Sequence, residues 1–261
     1  MILAQIDALA EKYGVKADSE NSKLLCVGGS HGPATVALPS LLVLFKRYHP
    51  SIELDFIVRN SPDMQDLVIA SIVELAVITY PEPSALLEME PFRTFELCFF
   101  VAAHHPLAKT KQITAETLAK FPLVTARPVK ARSRTEEVLG GMTAKGLKLN
   151  MLLRCEWPDA VKTVVHQGGA VGLHYLDLVD QGVRDGLFKI IHVRGANLSA
   201  ISYIVYSREK SLSRNAQDFL GLLRAARENN SVGRTILRNL QLFLVAFLPA
   251  SFAFRDLTLA L

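Results

Sequence analysis

Residues 23–50 read KLLCVGGSHGPATVALPSLLVLFKRYHP. Leu24, Leu25, Cys26 and Val27 make an apolar run too brief for a helix, and Gly28 and Gly29 are expected to stop it. Leu38, Leu41, Leu42 and Phe45 then recur at i, i+3, i+4 and i+7, the stripe of a helix laid against a sheet. Between the two, Gly28-Gly29-Ser30-His31-Gly32 sets bare backbone and one hydroxyl at a helix N-terminus. Unpaired N–H groups there point outward, and the helix dipole favours an anion in front of them. The stretch is a buried strand, a glycine-rich turn and a helix, and the turn is the first candidate binding loop.

Working outward, Pro50 ends the helix, and Ile52, Leu54, Phe56 and Val58 alternate as a strand. Ser61-Pro62-Asp63 is a helix start, with Ser61 expected as the cap, and Met64, Leu67 and Val68 face inward. Leu75 to Ile78 is a continuous apolar strand ended by Thr79 and the Pro81/Pro83 pair. The order βαβαβ means a parallel sheet with helices on its faces. Phe95 to Ala103, broken by HHPLA at 104–108, is long enough to cross from one lobe into another.

A second series follows. It has a helix near 115–120, a strand at Leu123-Val124 and a capping box, Ser133-Arg134-Thr135-Glu136, that opens another helix. Leu147, Leu149, Met151 and Leu153 alternate as a strand. Asp159 is expected to cap a helix with Val161, Val164 and Val165 inward, closed by Gly168-Gly169. Ala170–Leu173 and Leu187–Val193 read as strands, and Ile201–Tyr206 is a second long one. Ser213 opens a last helix with Ala216, Phe219, Leu220 and Leu223 inward. A βα series inserted between two long strands predicts a two-lobed α/β body with a double hinge and a ligand cleft at the strand ends.

The 261 residues, half of them hydrophobic, suffice for two such lobes. A net charge of +4 is dispersed, densest at Lys130, Arg132 and Arg134, which describes a solvated surface rather than a nucleic-acid stripe. Cys26, Cys98 and Cys155 are odd in number and embedded in apolar runs, as buried reduced thiols are. MILAQIDALAEKYG carries Asp7 and Glu11 and lacks the apolar core of a secretory signal, so a cytoplasmic location is expected. No His or Cys spacing assembles a metal site, and no cofactor is expected. Asn239 to Phe254 is uncharged but interrupted by Pro249 and short of the ~20 residues of a membrane helix. A packed or poorly ordered tail is expected there.

Ser30 also stands in Gly28-x-Ser30-x-Gly32 between strand and helix, the pattern of a hydrolase nucleophile elbow. In hydrolases several strands and an oxyanion loop precede the elbow, whereas this one follows the first strand. An anion-binding loop is therefore the first reading, with a Ser30 hydrolase as the alternative. A periplasmic-type solute receptor is another, which the unpaired cysteines oppose.

Several stretches resemble the effector-binding domain of LysR-type transcriptional regulators. They are VGGSHGPATVALPSLLVLFKRYHP, LVIASIVELAVIT (67–79), FFVAAHHPLA (99–108), VKTVVHQGGAVGLHY (161–175) and SYIVYSREKSLSRNAQDFLGLL (202–223). Together they cover about residues 22–228 in the family's order; Ser71 and Glu74 stand where it usually has Gly and Asp. The resemblance implies the type 2 periplasmic-binding-protein fold, two Rossmann-like lobes joined by a double-strand hinge. The expected division is 22–98 plus 207–228 for the first lobe and 99–206 for the inserted second. Residues 1–21 would be the remnant of a linker helix and a polar linker, and 229–261 an apolar extension. DNA would be read only through a winged helix-turn-helix that this chain is expected to lack.

The resemblance further implies a small effector, often a carboxylate, held between the lobes and no catalytic residue. It points to Ser30, His31, Gly32 and Thr79 on one side and to Arg132, Ser133 and Arg134 on the other. Hydroxyls, N–H groups and a guanidinium fork suit a carboxylate. His104 and His105 are read as turn residues, His166 and His174 as ordinary surface or core, and Gly168, Gly169 and Gly172 as a helix cap or a close backbone approach. The family's side-by-side pairing implies a homodimer, or a heterodimer with full-length subunits, with helix 34–47 of one subunit against the second lobe of its neighbour. No membrane partner is expected.

Overall fold

In a computed structural model, residues 23–126, 133–155 and 157–228 are described. The expectations for residues 1–22 and for the tail from 229 onward lie outside them. The first series comprises β1 (Leu24–Gly29), α1 (His31–Val36), α2 (Leu38–Tyr48), β2 (Glu53–Val58), α3 (Ser61–Ile69) and β3 (Leu75–Thr79). The long strand β4 (Leu87–Ala102) leads through a 3₁₀ turn (Pro106–Lys109) to β5 (Gln112–Ile113), α4 (Ala115–Leu118), β6 (Leu123–Ala126) and α5 (Arg134–Thr143). Then come β7 (Met151–Cys155), α6 (Pro158–Gly168), β8 (Val171–Tyr175), α7 (Leu176–Arg184) and β9 (Phe188–Val193). β10 (Ser199–Ser207) and α8 (Arg214–Glu228) close the series.

The strands order as β2-β1-β3-β10-β4-β8-β6-β7. β1 runs parallel to β2 and β3, and β6 parallel to β7 and β8, so each lobe has its own parallel core. β10 is antiparallel to both β3 and β4. β4 changes partners along its length. Leu87 to Glu96 lie beside β10, Leu97 to Phe100 beside β8, and Phe99 to Ala102 beside β9. The two long strands therefore carry the chain between the lobes.

The run at 97–101 is apolar throughout because both of its faces are covered. Leu97, Phe99 and Val101 enter one core with Leu123, Leu139 and Met142. Cys98 and Phe100 enter another with Val124, Val161, Val165 and Val179. Side chains two apart share a face, so one strand supplies both cores. Phe99 and Phe100 are fully buried, each worth about 1.5–3 kcal/mol of transfer free energy. The first lobe has its own core, built from Met64, Leu67, Val68, Ala76, Ile78 and Val205. Leu38, Leu41, Leu42 and Phe45 are buried as their spacing predicts, and Phe45 meets Phe219 edge to face at 5.3 Å.

Local expectations needed correction in several places. Gly28 and Gly29 do not stop β1; they lie inside it, beside β2 and β3. A Cβ on Gly28 would lie 2.2 Å from Met64 Sδ, and one on Gly29 2.7 Å from Leu38, so these glycines admit helices close to the strand. The helix after the turn is split at Ala37, because Pro39 has no N–H to offer the Thr35 carbonyl. The cap of α3 is Asn60, whose side chain accepts from the Asp63 amide at 3.0 Å; Ser61 is inside the helix. Residues 147–150 are not strand, and α6 begins after Trp157, with Asp159 in its first turn. Helix α7 was not expected, although Leu176, Val179 and Val183 carry an i, i+3, i+7 signal.

Candidate functional site

Ser30 follows β1 in extended geometry, φ −77° and ψ 161°, and is buried. Its amide donates to the Val77 carbonyl at 3.0 Å, and its Oγ accepts from the Thr79 amide at 3.0 Å. Ser30 is thus bound to the end of β3 by main chain and side chain together. The two hydroxyls, Ser30 Oγ and Thr79 Oγ1, lie 3.4 Å apart. Tyr175, the last residue of β8, reaches from the second lobe and directs its hydroxyl at Thr79 Oγ1, also at 3.4 Å. A good O–H···O bond is nearer 2.7–2.8 Å, so these three hydroxyls are grouped without being saturated. Burial pushes the Tyr175 phenol up, which keeps it neutral.

Gly32 lies under the Tyr175 ring: a Cβ there would be 3.1 Å from Cε2. No side chain caps α1, which leaves the amides of His31 and Gly32 without an acceptor inside the helix. With six residues α1 is a short helix, so these two amides matter more than any dipole. Burial lowers the His31 pKa, favouring the neutral ring.

On the other side, Ser133 Oγ accepts from the Glu136 amide at 3.2 Å, the cap that its sequence predicted. Arg134 Nη1 donates to Glu137 Oε2 at 2.6 Å and Nη2 to the Asn197 carbonyl at 2.7 Å. Its Nε is buried without a hydrogen-bond partner. Tyr80, the residue after Thr79, has Glu137 and Arg134 in its electrostatic surroundings. Burial first, then Glu137, holds its phenol above the ordinary range. Arg132 lies outside the described residues. Of the residues singled out from the sequence, the structure brings Ser30, Gly32 and Thr79 together and ties Arg134 to Glu137 and the Asn197 carbonyl; Tyr175, an aromatic hydroxyl at a strand end, was not among them.

Other candidates fall to ordinary roles. Nucleophile elbows are strained turns that expose their serine to a histidine. Ser30 is buried in relaxed backbone, and among the described residues its Oγ meets only Thr79. His105 caps the 3₁₀ turn through Nδ1, which accepts from the Leu107 amide at 3.1 Å, and its Nε2 lies 3.0 Å from the Gly169 carbonyl. Gly169 has φ +62° as the cap of α6, and Gly172 admits Phe100 against the strand. Among the described residues no group of three or more His, Cys, Asp or Glu could hold a metal ion, and no helix is long and apolar enough to cross a membrane.

A double-strand crossing, two parallel cores and polar groups gathered where the lobes meet define a two-lobed binding domain of the type 2 periplasmic-binding-protein class. The family model of the LysR substrate binding domain matches residues 18–228, and the chain belongs to that family. Among curated relatives, the HTH-type transcriptional regulator CysB of Burkholderia cenocepacia is 25% identical over 209 residues, 77% of this chain and 64% of that one. The HTH-type transcriptional activator CmpR of Synechocystis sp. is 26% identical over 200 residues, 76% of this chain and 64% of that one. The chain thus covers less than two thirds of either regulator. Among solved structures, the regulatory domain of Synechocystis CcmR in complex with 2-PG superposes with a TM-score of 0.70 at 20% identity, covering 79% of this chain and 98% of that domain. The effector binding domain of QuiR in complex with shikimate gives 0.69 at 16% identity, covering 80% and 99%. These two likenesses are of fold.

Proposed function

We propose that this chain is the effector-binding domain of a LysR-type transcriptional regulator, taking a small anionic metabolite between its lobes in the cytoplasm. One observation carries the reading. Ser30 and Thr79 from the first lobe and Tyr175 from the second bring three unsaturated hydroxyls together beside the free amides of His31 and Gly32. Such donors suit carboxylate or phosphate oxygens, and Arg134 adds a cation on the facing lobe. A ligand touching both lobes favours the arrangement in which both reach it, and that differential affinity is the signal. The lobe boundaries we assign, 22–98 with 207–228 and 99–206, are supported by the change of partner along β4 between Glu96 and Leu97. The 2-PG and shikimate held by structural neighbours are both small and oxygen-rich, which is the chemistry proposed here.

The test is thermal stability and calorimetry of the purified chain with a panel of small carboxylates and phosphate esters, 2-PG and shikimate included. One panel member should raise Tm and bind with a heat that Thr79→Val reduces at least about tenfold, the weight of one lost hydrogen bond to a charged group. Binding that ignores both Thr79→Val and Ser30→Ala would place the ligand elsewhere.

We also propose that two copies pair side by side, α2 of one against the second lobe of the other. Val43 and Tyr48 are exposed on α2, and Leu152, Leu153 and Trp157 on and beside the edge strand β7. Light scattering should show a dimer that Val43→Asp dissociates.

A further inference from the structure

Within α5, Glu136, Leu139, Gly140 and Thr143 follow one another at i, i+3, i+4 and i+7, the spacing of a single helix face. Across a cavity of about 510 Å³ this face looks onto Leu147, Leu149 and Met151, with Lys148 and Arg154 beside them. A helix face set against a sheet normally carries large apolar side chains. Here the middle of the face is a glycine. Glycine inside a helix disfavours it relative to alanine, so the position calls for a reason. Packing supplies none, because a Cβ on Gly140 would meet nothing within 4 Å. Gly146, on the same cavity, differs: its φ of +84° in the turn after α5 explains it by backbone alone. What the absent side chain at Gly140 leaves is space.

The lining divides by chemistry. Leu139, Leu147, Leu149 and Met151 belong to or pack against the core of the second lobe, which gives the cavity a firm apolar wall. Its charged groups are Glu136, Lys148 and Arg154. Arg154 Nε lies 3.8 Å from Glu136 Oε1, too far for a hydrogen bond. Among the described residues Arg154 has no closer acceptor and Lys148 has no ion-pair partner. Two cations against one loosely held carboxylate leave an excess of positive charge beside an apolar wall. None of these side chains is among those gathered between the lobes. We propose that this cavity is a second ligand site, taking an amphipathic anion with one carboxylate and an apolar body of about eight to ten carbons. The apolar body would lie along Leu147, Leu149 and Met151 in the space beside Gly140, and the carboxylate would meet Arg154 and Lys148. The proposal does not depend on the effector reading above.

The experiment titrates the purified chain by calorimetry with octanoate, hexanoate and octylammonium at one ionic strength. Octanoate should bind one to one, hexanoate about tenfold more weakly for its two missing methylenes, and octylammonium not at all. Arg154→Gln and Lys148→Gln should each weaken octanoate binding about fivefold. Gly140→Leu fills the space with a good helix former, so Tm should hold or rise while octanoate binding is lost. Folding and binding are thereby read separately. No octanoate binding at millimolar concentration, equal binding of octylammonium, or binding that survives Gly140→Leu would each overturn the proposal. So would binding abolished by Thr79→Val, which would put octanoate between the lobes. In every case the interlobe reading is judged by its own panel of ligands.

Discussion

The ring of Tyr175 covers Gly32 so closely that a Cβ on the glycine would sit 3.1 Å from Cε2 and 3.3 Å from Cζ. One residue comes from the second lobe and the other from the first, so the width of the cleft at this point is set by a missing side chain. Gly32→Val should displace the tyrosine, lose the Thr79 contact and cost about 1–3 kcal/mol by overpacking. Tyr175→Ala in the same chain should recover most of that stability. A double-mutant cycle in urea measures the coupling, and additive effects would show that the ring and the glycine do not constrain each other.

Gly172 and Gly140 should respond in opposite directions to the same substitution. A Cβ on Gly172 would lie 2.4 Å from the Phe100 ring and 2.8 Å from Val165, in the middle of a core. Gly172→Ala should destabilise by about 1–3 kcal/mol. Gly140 is exposed inside α5, and a Cβ there would meet nothing within 4 Å. Gly140→Ala should stabilise by about 1 kcal/mol through helix propensity. Denaturant midpoints of the two variants decide.

Ser71 stands at φ +58°, and its Oγ is buried without a hydrogen-bond partner. Both features disfavour serine relative to glycine at this turn. Ser71→Gly should raise stability by about 1–2 kcal/mol, read as a higher Tm, with no effect on ligand binding.

His105 predicts a pH dependence. It is buried and accepts the Leu107 amide on Nδ1, so its proton belongs on Nε2, facing the Gly169 carbonyl. Burial lowers its pKa; the Gly169 bond opposes the shift and nearby His104 adds to it. The Phe121 ring packs against it at 5.2 Å. With the folded pKa below the unfolded one, the unfolded chain binds the proton more readily. This contribution is therefore complete above about pH 6.5 and is lost as pH falls through the folded value. Tm should decline on acidification below neutrality, and His105→Asn, which keeps a cap acceptor but cannot titrate, should flatten that decline.

Much of the fold was legible because period survives in sequence. The i, i+3, i+4, i+7 stripe at Leu38, Leu41, Leu42 and Phe45 is the buried face of α2. The apolar run from Phe95 to Ala103 marked a strand long enough to cross between lobes, and the structure buries both of its faces at 97–101. What failed were choices between neighbours of equal propensity. Asn60 and Ser61 both cap well, and the one whose oxygen reaches the Asp63 amide took the role. Helix α7 escaped notice because it has only nine residues, so its apolar face of Leu176, Val179 and Val183 spans barely two turns.

The site divides in the same way. Ser30, Gly32 and Thr79 could be found because each sits where a strand ends, and ends of parallel strands are where open α/β sheets bind. Tyr175 meets Thr79 across 96 positions of sequence, so no local pattern joins them. Periodicity and turn chemistry act within a few residues, and from them the sequence determined the strands, most helices, the inserted second lobe and the family. Which hydroxyls face one another between the lobes, and that Ser133 is used up as a cap while Arg134 is shared between Glu137 and the Asn197 carbonyl, depends on how packed cores orient whole elements. Only the tertiary structure decided that, because contacts between lobes are set by shape rather than by spacing along the chain.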